Sequence, residues 1–256
     1  FAGSIVVPES VADPLGYYDT NTVKSRTLIA TALESAVLHC ILSSTAAVYG
    51  NPAEIPVTEN AVLQRLSPYG RSKLMTEWML ADAAHAHDFN YVALRYFNVA
   101  GADPEGRSGQ STPRATHLIK VACEAALGKR SHMQVFGTDY PTPDGTCIRD
   151  YIHVTDLARA HLEALEYLRE KDTSNIFNCG YSKGYSVLEV VEAVKRVSNV
   201  GLNVRLAERR PGDPAAIVAA STKIRRTLGW TPQHDDLDKI VSQALNWEKR
   251  LGSLKG

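Results

Sequence analysis

The chain has 256 residues, 44% hydrophobic and 22% charged, enough apolar side chain for one substantial core or two smaller ones sharing a face. Lys plus Arg equals Asp plus Glu at 28 each, so no broad basic field exists to hold nucleic acid or an anionic membrane. No apolar run reaches the roughly 18 residues of a membrane span, and no signal peptide is expected. Cys40, Cys123, Cys147 and Cys179 are too scattered for a disulfide framework, which predicts reduced thiols and a cytoplasmic protein.

Taken in chain order, apolar residues recur at helical spacing from Pro14 to Val37 (Leu15, Val23, Leu28, Ile29, Leu33), and a strand is predicted at Leu38 to Ser43. Turn formers over 50–67 read as a loop. Ser67 then stands as N-cap and Pro68 at the first position of a helix running to about His87. A strand at Tyr91 to Tyr96 and a Gly/Pro-rich loop through Pro113 follow. Next come a helix at about 114–128, a strand at 134–136 and a loop rich in Pro, Asp and Gly. Further helices are predicted at 154–168, at 187–197 with Ser186 as cap, and near 222–228 and 235–250. Strands fall at 175–179 and near Val204. Strand and helix alternating in this way predict an α/β protein: a Rossmann-type, doubly wound parallel sheet with a smaller C-terminal α/β lobe.

No GxGxxG or GxxGxxG is present, although a dinucleotide fold normally opens with a strand, a Gly-rich turn and a helix N-terminus that hold pyrophosphate. Gly101, Gly106 and Gly109 fall in a loop with Pro104 and charged residues between them, and read as a decoy. The chain also opens on Phe1 rather than Met. Both features lead to the expectation that about 80 residues of βαβ units precede it in the whole protein, and that residues 1–256 alone hold a dinucleotide weakly.

Within Tyr69-Gly-Arg-Ser-Lys73 the phenol and the ammonium, four residues apart on a helix, share a face. A free phenol has a pKa of about 10 and is a poor base at neutral pH. A cation beside it favours the phenolate, and lowering that pKa by about three units takes about 4 kcal/mol. Ser43-Ser44-Thr45-Ala46-Ala47-Val48-Tyr49-Gly50 follows a predicted strand, where small hydroxyl side chains meet substrate oxygens in parallel α/β sheets. His85 and His87 form an HxH at a polar helix end without a third ligand, so no metal is expected.

These two motifs, together with Arg95-Tyr-Phe-Asn98, resemble the extended short-chain dehydrogenase/reductases. The run from Phe136-Gly-Thr-Asp-Tyr-Pro to Ile148-Arg-Asp-Tyr-Ile-His153, with Arg209-Arg-Pro-Gly-Asp213, narrows the resemblance to UDP-glucose 4-epimerases. It spans the whole chain and implies residues 1–98 as the remainder of an NAD-binding Rossmann domain. Residues 99–256 would be mainly a UDP-sugar lobe, with some segments returning to the first sheet. The resemblance implies Tyr69 as acid/base, Lys73 as its electrostatic partner and ligand of the nicotinamide ribose, and Thr45 as hydrogen-bond partner of the sugar 4-hydroxyl. Phe1, Ala2, Gly3, Thr20 and Phe97 would line NAD. Asn98, His117, Leu118, Phe136, Arg149, Arg210, Asp213 and Ile217 would contact the UDP-sugar. For Arg149 and Arg210 the alternative is an ion pair with Asp150 or Asp213.

In related 4,6-dehydratases an Asp-Glu pair follows that threonine, and decarboxylases keep a Glu; this chain has Ala46-Ala47, which favours epimerisation. Ile5 stands where a lysine is usual, Thr20 (beside Asn21) and His117 where asparagines are usual, and Ile217 where pocket volume is set. The implied reaction is reversible 4-epimerisation of UDP-glucose and UDP-galactose through a 4-keto sugar. The alternatives are an epimerase of UDP-N-acetylhexosamines or UDP-pentoses, and a non-catalytic NAD-binding regulator. The helices at 14–37 and 68–87 correspond to those that pair across a two-fold axis in the family, which implies a homodimer.

Overall fold

The computed structural model describes residues 2–253, apart from Arg65, Pro113, Arg114 and Pro211. Its strands in chain order are β1 (His39–Thr45), β2 (Asn90–Tyr96), β3 (Asn98–Ala100), β4 (Met133–Phe136), β5 (Ile148–His153), β6 (Asn175–Cys179), β7 (Gly184–Ser186), β8 (Val204–Ala207) and β9 (Ala216–Ile217). The chain divides into two compact units. One comprises 1–97, 159–179 and 219–231; the other comprises 98–158, 180–218 and 232–256.

The first unit holds a three-stranded parallel sheet in the order β1-β2-β6, with Thr45 opposite Tyr96 and Tyr96 opposite Cys179. Val92, Ala93 and Leu94 are fully buried at its centre, the near-continuous apolar run expected where helices cover a parallel strand. The helix Pro68–Ala86 connects β1 to β2. The hydroxyl of Ser67 accepts from the Gly70 N–H at 3.1 Å, and Pro68 occupies a position where no N–H is needed. Leu80 on this helix packs with Phe89, Tyr91 and Ala93, and Ile29, Leu33 and Leu42 close over them.

The helix expected at 14–37 ends at Glu34 and carries a π turn at Asp19–Val23. A π turn inserts one residue into the helical ladder, and such turns mark functional positions. Here it lets the Asn21 carbonyl accept the Thr76 hydroxyl at 3.0 Å. A short helix, Val7–Ala12, was not predicted from the sequence.

The second unit has a mixed sheet around β5. It runs parallel to β3 and β9 and antiparallel to β7, while β4 and β8 form a separate parallel pair. The sequence reading did not include β3, β5, β7 or β9. Each has six residues or fewer, too few for a period-2 pattern to stand out. Helices Leu118–Ala126, Val187–Ser198 and Leu237–Ser253 pack on one another. Ser186 caps the second of these through a reciprocal pair with Glu189. Among the described residues no helix is long and apolar enough to cross a membrane, and all four cysteines are free.

Leu80 is 1% exposed, so Leu80→Ala should lower unfolding stability by about 3 kcal/mol in a denaturant titration. Leu28→Ser, at a 69% exposed position, should change it by less than about 0.5 kcal/mol.

Candidate active site

The C-terminal end of β1 turns directly into a 3-10 turn, Ala46–Val48, and the Thr45 hydroxyl accepts the Ala47 N–H at 3.1 Å. β1 is only half-buried along its first four residues and becomes fully buried at Ser43, Ser44 and Thr45. Tyr69, the second residue of its helix, is 8% exposed and stands near enough to Thr45 for that hydroxyl to bear on its ionisation. This contact depends on Gly70: a Cβ there would lie 2.6 Å from the Ala47 carbonyl oxygen. Glycine is therefore what lets the helix start meet the strand end.

Burial pushes the Tyr69 phenol up to about 12, and the neighbouring phenols of Tyr96 and Tyr17 push in the same direction, while the Thr45 hydroxyl opposes them. In the protein alone desolvation sets the direction, and the phenolate expected beside two positive charges, Lys73 and a bound nicotinamide, would need the second of them. Lys73 is half-buried, and burial lowers its pKa. Among the described residues none pairs with its ammonium. A Cβ on Gly3 would stand 3.5 Å from the Lys73 Nζ and 3.0 Å from the Asn21 Oδ1, so the backbone at Gly3 passes close to both.

The sequence reading passed over Asn21 in favour of Thr20, which is half-buried in the π turn. Asn21 is the buried one. Its carboxamide accepts from the Ser4 N–H at 2.8 Å, and donates to the Ser4 carbonyl at 2.9 Å and to the Ser72 hydroxyl at 3.1 Å. A polar residue on the inward face of an amphipathic helix was its available sequence signal. Phe1 lies outside the described residues, Ala2 is exposed, and Phe97 is buried, its N–H donating to the Cys179 carbonyl at 3.3 Å.

In the second unit Arg149 lies on β5 beside Ile217 of β9, and its guanidinium is 3.7 Å from the Asp213 carboxylate. The alternative of an ion pair with Asp213 is thus what this geometry displays for Arg149, whereas Asp150 is buried and accepts the N–H groups of Tyr181 and Ser182. Arg210 lies over the Phe136 ring at 3.7 Å, and Arg209 over Tyr140 at 4.2 Å while pairing with Asp139 at 2.6 Å. Two guanidinium groups on aromatic rings at the end of β4 form a cationic surface with flat apolar walls, the chemistry that a pyrimidine nucleotide requires. Asn98 begins β3, opposite Tyr151. His117 caps the helix that Leu118 opens; it pairs with Gln110 at 2.7 Å, and burial lowers its pKa, so it is neutral near pH 7. His153 accepts the Thr155 N–H at 3.0 Å and stacks on His234 at 4.4 Å, a structural role. Among the described residues no cluster of His, Cys, Asp or Glu is able to hold a metal.

The model of the NAD-dependent epimerase/dehydratase family matches residues 1–180. The chain belongs to that family. It is 58% identical over 251 residues to a UDP-glucose 4-epimerase of Azospirillum brasilense, covering 98% of this chain and 72% of that protein. Its fold superposes with a TM-score of 0.95 on a UDP-glucose 4-epimerase of Stenotrophomonas maltophila, solved with bound NAD and formylated UDP-arabinopyranose; the two are 38% identical, over 99% of this chain and 76% of the other. A UDP-Glc/GlcNAc 4-epimerase of Campylobacter jejuni is 52% identical, with a TM-score of 0.83 over 98% and 76% of the two chains. For a member of this family the Gly70 contact makes a direct test. Gly70→Ala should displace Tyr69 from Thr45 and lower kcat by about 100-fold with little change in helix content by circular dichroism.

Proposed function

We propose that this chain carries the catalytic and nucleotide-binding residues of a cytoplasmic UDP-hexose 4-epimerase that interconverts UDP-glucose and UDP-galactose with tightly held NAD. The observation that carries the reading is the close approach, at Gly70 and Ala47, of the start of the Tyr69 helix to the strand end that bears Thr45, with alanines following where elimination chemistry needs carboxylates. The relatives named above support it. Four free cysteines fit a reducing compartment.

The residues present suit NAD. A half-buried ammonium that no described residue pairs with, beside the side-chain-free backbone of Gly3, suits a ribose hydroxyl pair, and Lys73 would hold it there; Phe97 and Asn21 stand on the same unit. When bound, NAD supplies the hydride acceptor and donor for C4 together with a positive charge. Tyr69, once that charge offsets its burial, would take the proton from the sugar 4-hydroxyl and later return it to the oxygen of the 4-keto sugar, after the sugar has turned its other face to the cofactor. Thr45 hydrogen-bonds the same oxygen and holds the phenol in line. Arg149, Arg210 and Asp213 would hold the diphosphate and ribose, Phe136 would stack on the uracil, and Asn98, His117, Leu118 and Ile217 would complete the sugar-nucleotide contacts. Binding energy from the non-reacting UDP then retains the intermediate while the hexose turns over.

We also propose a homodimer. Val23 and Leu28, at 54% and 69% exposure, place apolar surface on the Pro14–Glu34 region, and Trp78 is 48% exposed on the Tyr69 helix. A second copy presenting the same helices would cover them.

Incubated with UDP-galactose, the NAD-loaded protein should form UDP-glucose, followed by anomeric proton NMR, with no net NADH. Tyr69→Phe should lower kcat by about 1,000-fold. A 4-keto-6-deoxy sugar or released carbon dioxide would overturn the epimerase reading. Because phenolate is the active base, the rate of the NAD-loaded enzyme should rise with pH through the Tyr69 pKa, which bound positive charge brings well below about 12. Lys73→Met should move that rising limb to higher pH by about one unit in a pH–kcat profile.

A further inference from the structure

The proposed reaction needs Thr45 and Tyr69 side by side, yet they sit on different elements, the last residue of β1 and the second of its helix. One buried polar constellation joins these two elements without including either residue. Glu77, 2% exposed, lies one turn beyond Lys73 and two beyond Tyr69 on the same helix. The Arg95 fork on β2 grips its carboxylate, with Nη2 to Oε2 at 2.6 Å and Nε to Oε1 at 3.0 Å. The hydroxyl of Ser44, the residue before Thr45, donates to the Glu77 Oε1 in a short contact. Arg95 Nη1 donates to the Tyr49 hydroxyl at 3.0 Å and to the Glu59 carbonyl at 3.3 Å. Tyr49 donates to Asn178 Oδ1 on β6 at 2.6 Å, and Asn178 Nδ2 donates to the Val57 carbonyl at 2.8 Å.

Burying a carboxylate and a guanidinium is costly, and well-packed apolar residues of the same volume commonly stabilise a layer as well or better. What an apolar pair does not provide is direction. A guanidinium fork accepts a carboxylate in one plane and at one distance, and that specifies the rotation and height of the helix on the sheet. The same carboxylate holds Ser44, and so the end of the strand from which Thr45 projects.

We propose that Glu77 is a positioning residue: with Ser44 and Arg95 it sets the Thr45–Tyr69 geometry, and therefore kcat, without taking part in binding cofactor or nucleotide. This rests on Tyr69 and Thr45 being the reacting pair. The test uses the NAD-loaded enzyme with Ser44→Ala, which leaves the ion pair intact, and Glu77→Gln, which keeps its shape. Ser44→Ala should lower kcat about fivefold, the loss of one hydrogen bond, with KM for UDP-galactose and bound NAD within about twofold of the parent. Glu77→Gln should lower kcat further with the same unchanged KM. Combined with Thr45→Val, Ser44→Ala should add nothing, because it acts through Thr45. Parental kcat in Ser44→Ala, or a loss that multiplies with that of Thr45→Val, would overturn the proposal, and Ser44→Ala decides alone if Glu77→Gln does not fold. Activity surviving Tyr69→Phe would instead sink the catalytic assignment itself, so the two failures are distinguishable.

Discussion

The buried ion pair between Glu77 and Arg95 is the constraint around which the first unit is arranged. A carboxylate and a guanidinium persist in an apolar interior only when each is nearly saturated by partners. Saturating this pair recruits Ser44 from β1, Tyr49 and Glu59 from the following loop and, through Tyr49, Asn178 from β6. All three strands and their covering helix are thereby held in one register. The apolar contacts of Leu80, Phe89, Tyr91 and Ala93 supply the stabilisation, and the polar network supplies the setting.

That rigidity meets the requirement of the proposed chemistry. Tyr69 is buried deeply enough that its phenol stays neutral in the protein alone, and Lys73, half-buried and paired with no described residue, loses some of its own preference for the charged form. In the proposed reaction, a positively charged cofactor would offset the desolvation of Tyr69. In the second unit the economy differs. Arginines lie on aromatic rings or beside Asp213, on the surface where the proposed function puts the diphosphate.

Much of this was legible in the amino-acid order. Ser67-Pro68 announced the start of the Tyr69 helix because an N-cap and a first-turn proline are local devices, and its placement at Pro68–Ala86 follows them. Strands β1, β2 and β6 were legible because buried parallel strands are apolar runs bounded by turns. The small strands around β5 were not: their pairing partners are distant in sequence, and Arg-Asp-Tyr-Ile-His carries no alternating pattern.

By itself the sequence determined the family and the α/β class, and it singled out the side chains of the proposed reaction, because motif spacing and helical periodicity are properties of neighbours along the chain. Only the tertiary structure decided that Asn21 rather than Thr20 turns inward, that Gly70 is a point of contact with Ala47, and that Glu77 and Arg95 join the Tyr69 helix to β2. It also decided that burial raises the Tyr69 phenol. The reason is common to all four: desolvation, close approach and ion pairing depend on distances between residues far apart in sequence, which no local pattern encodes.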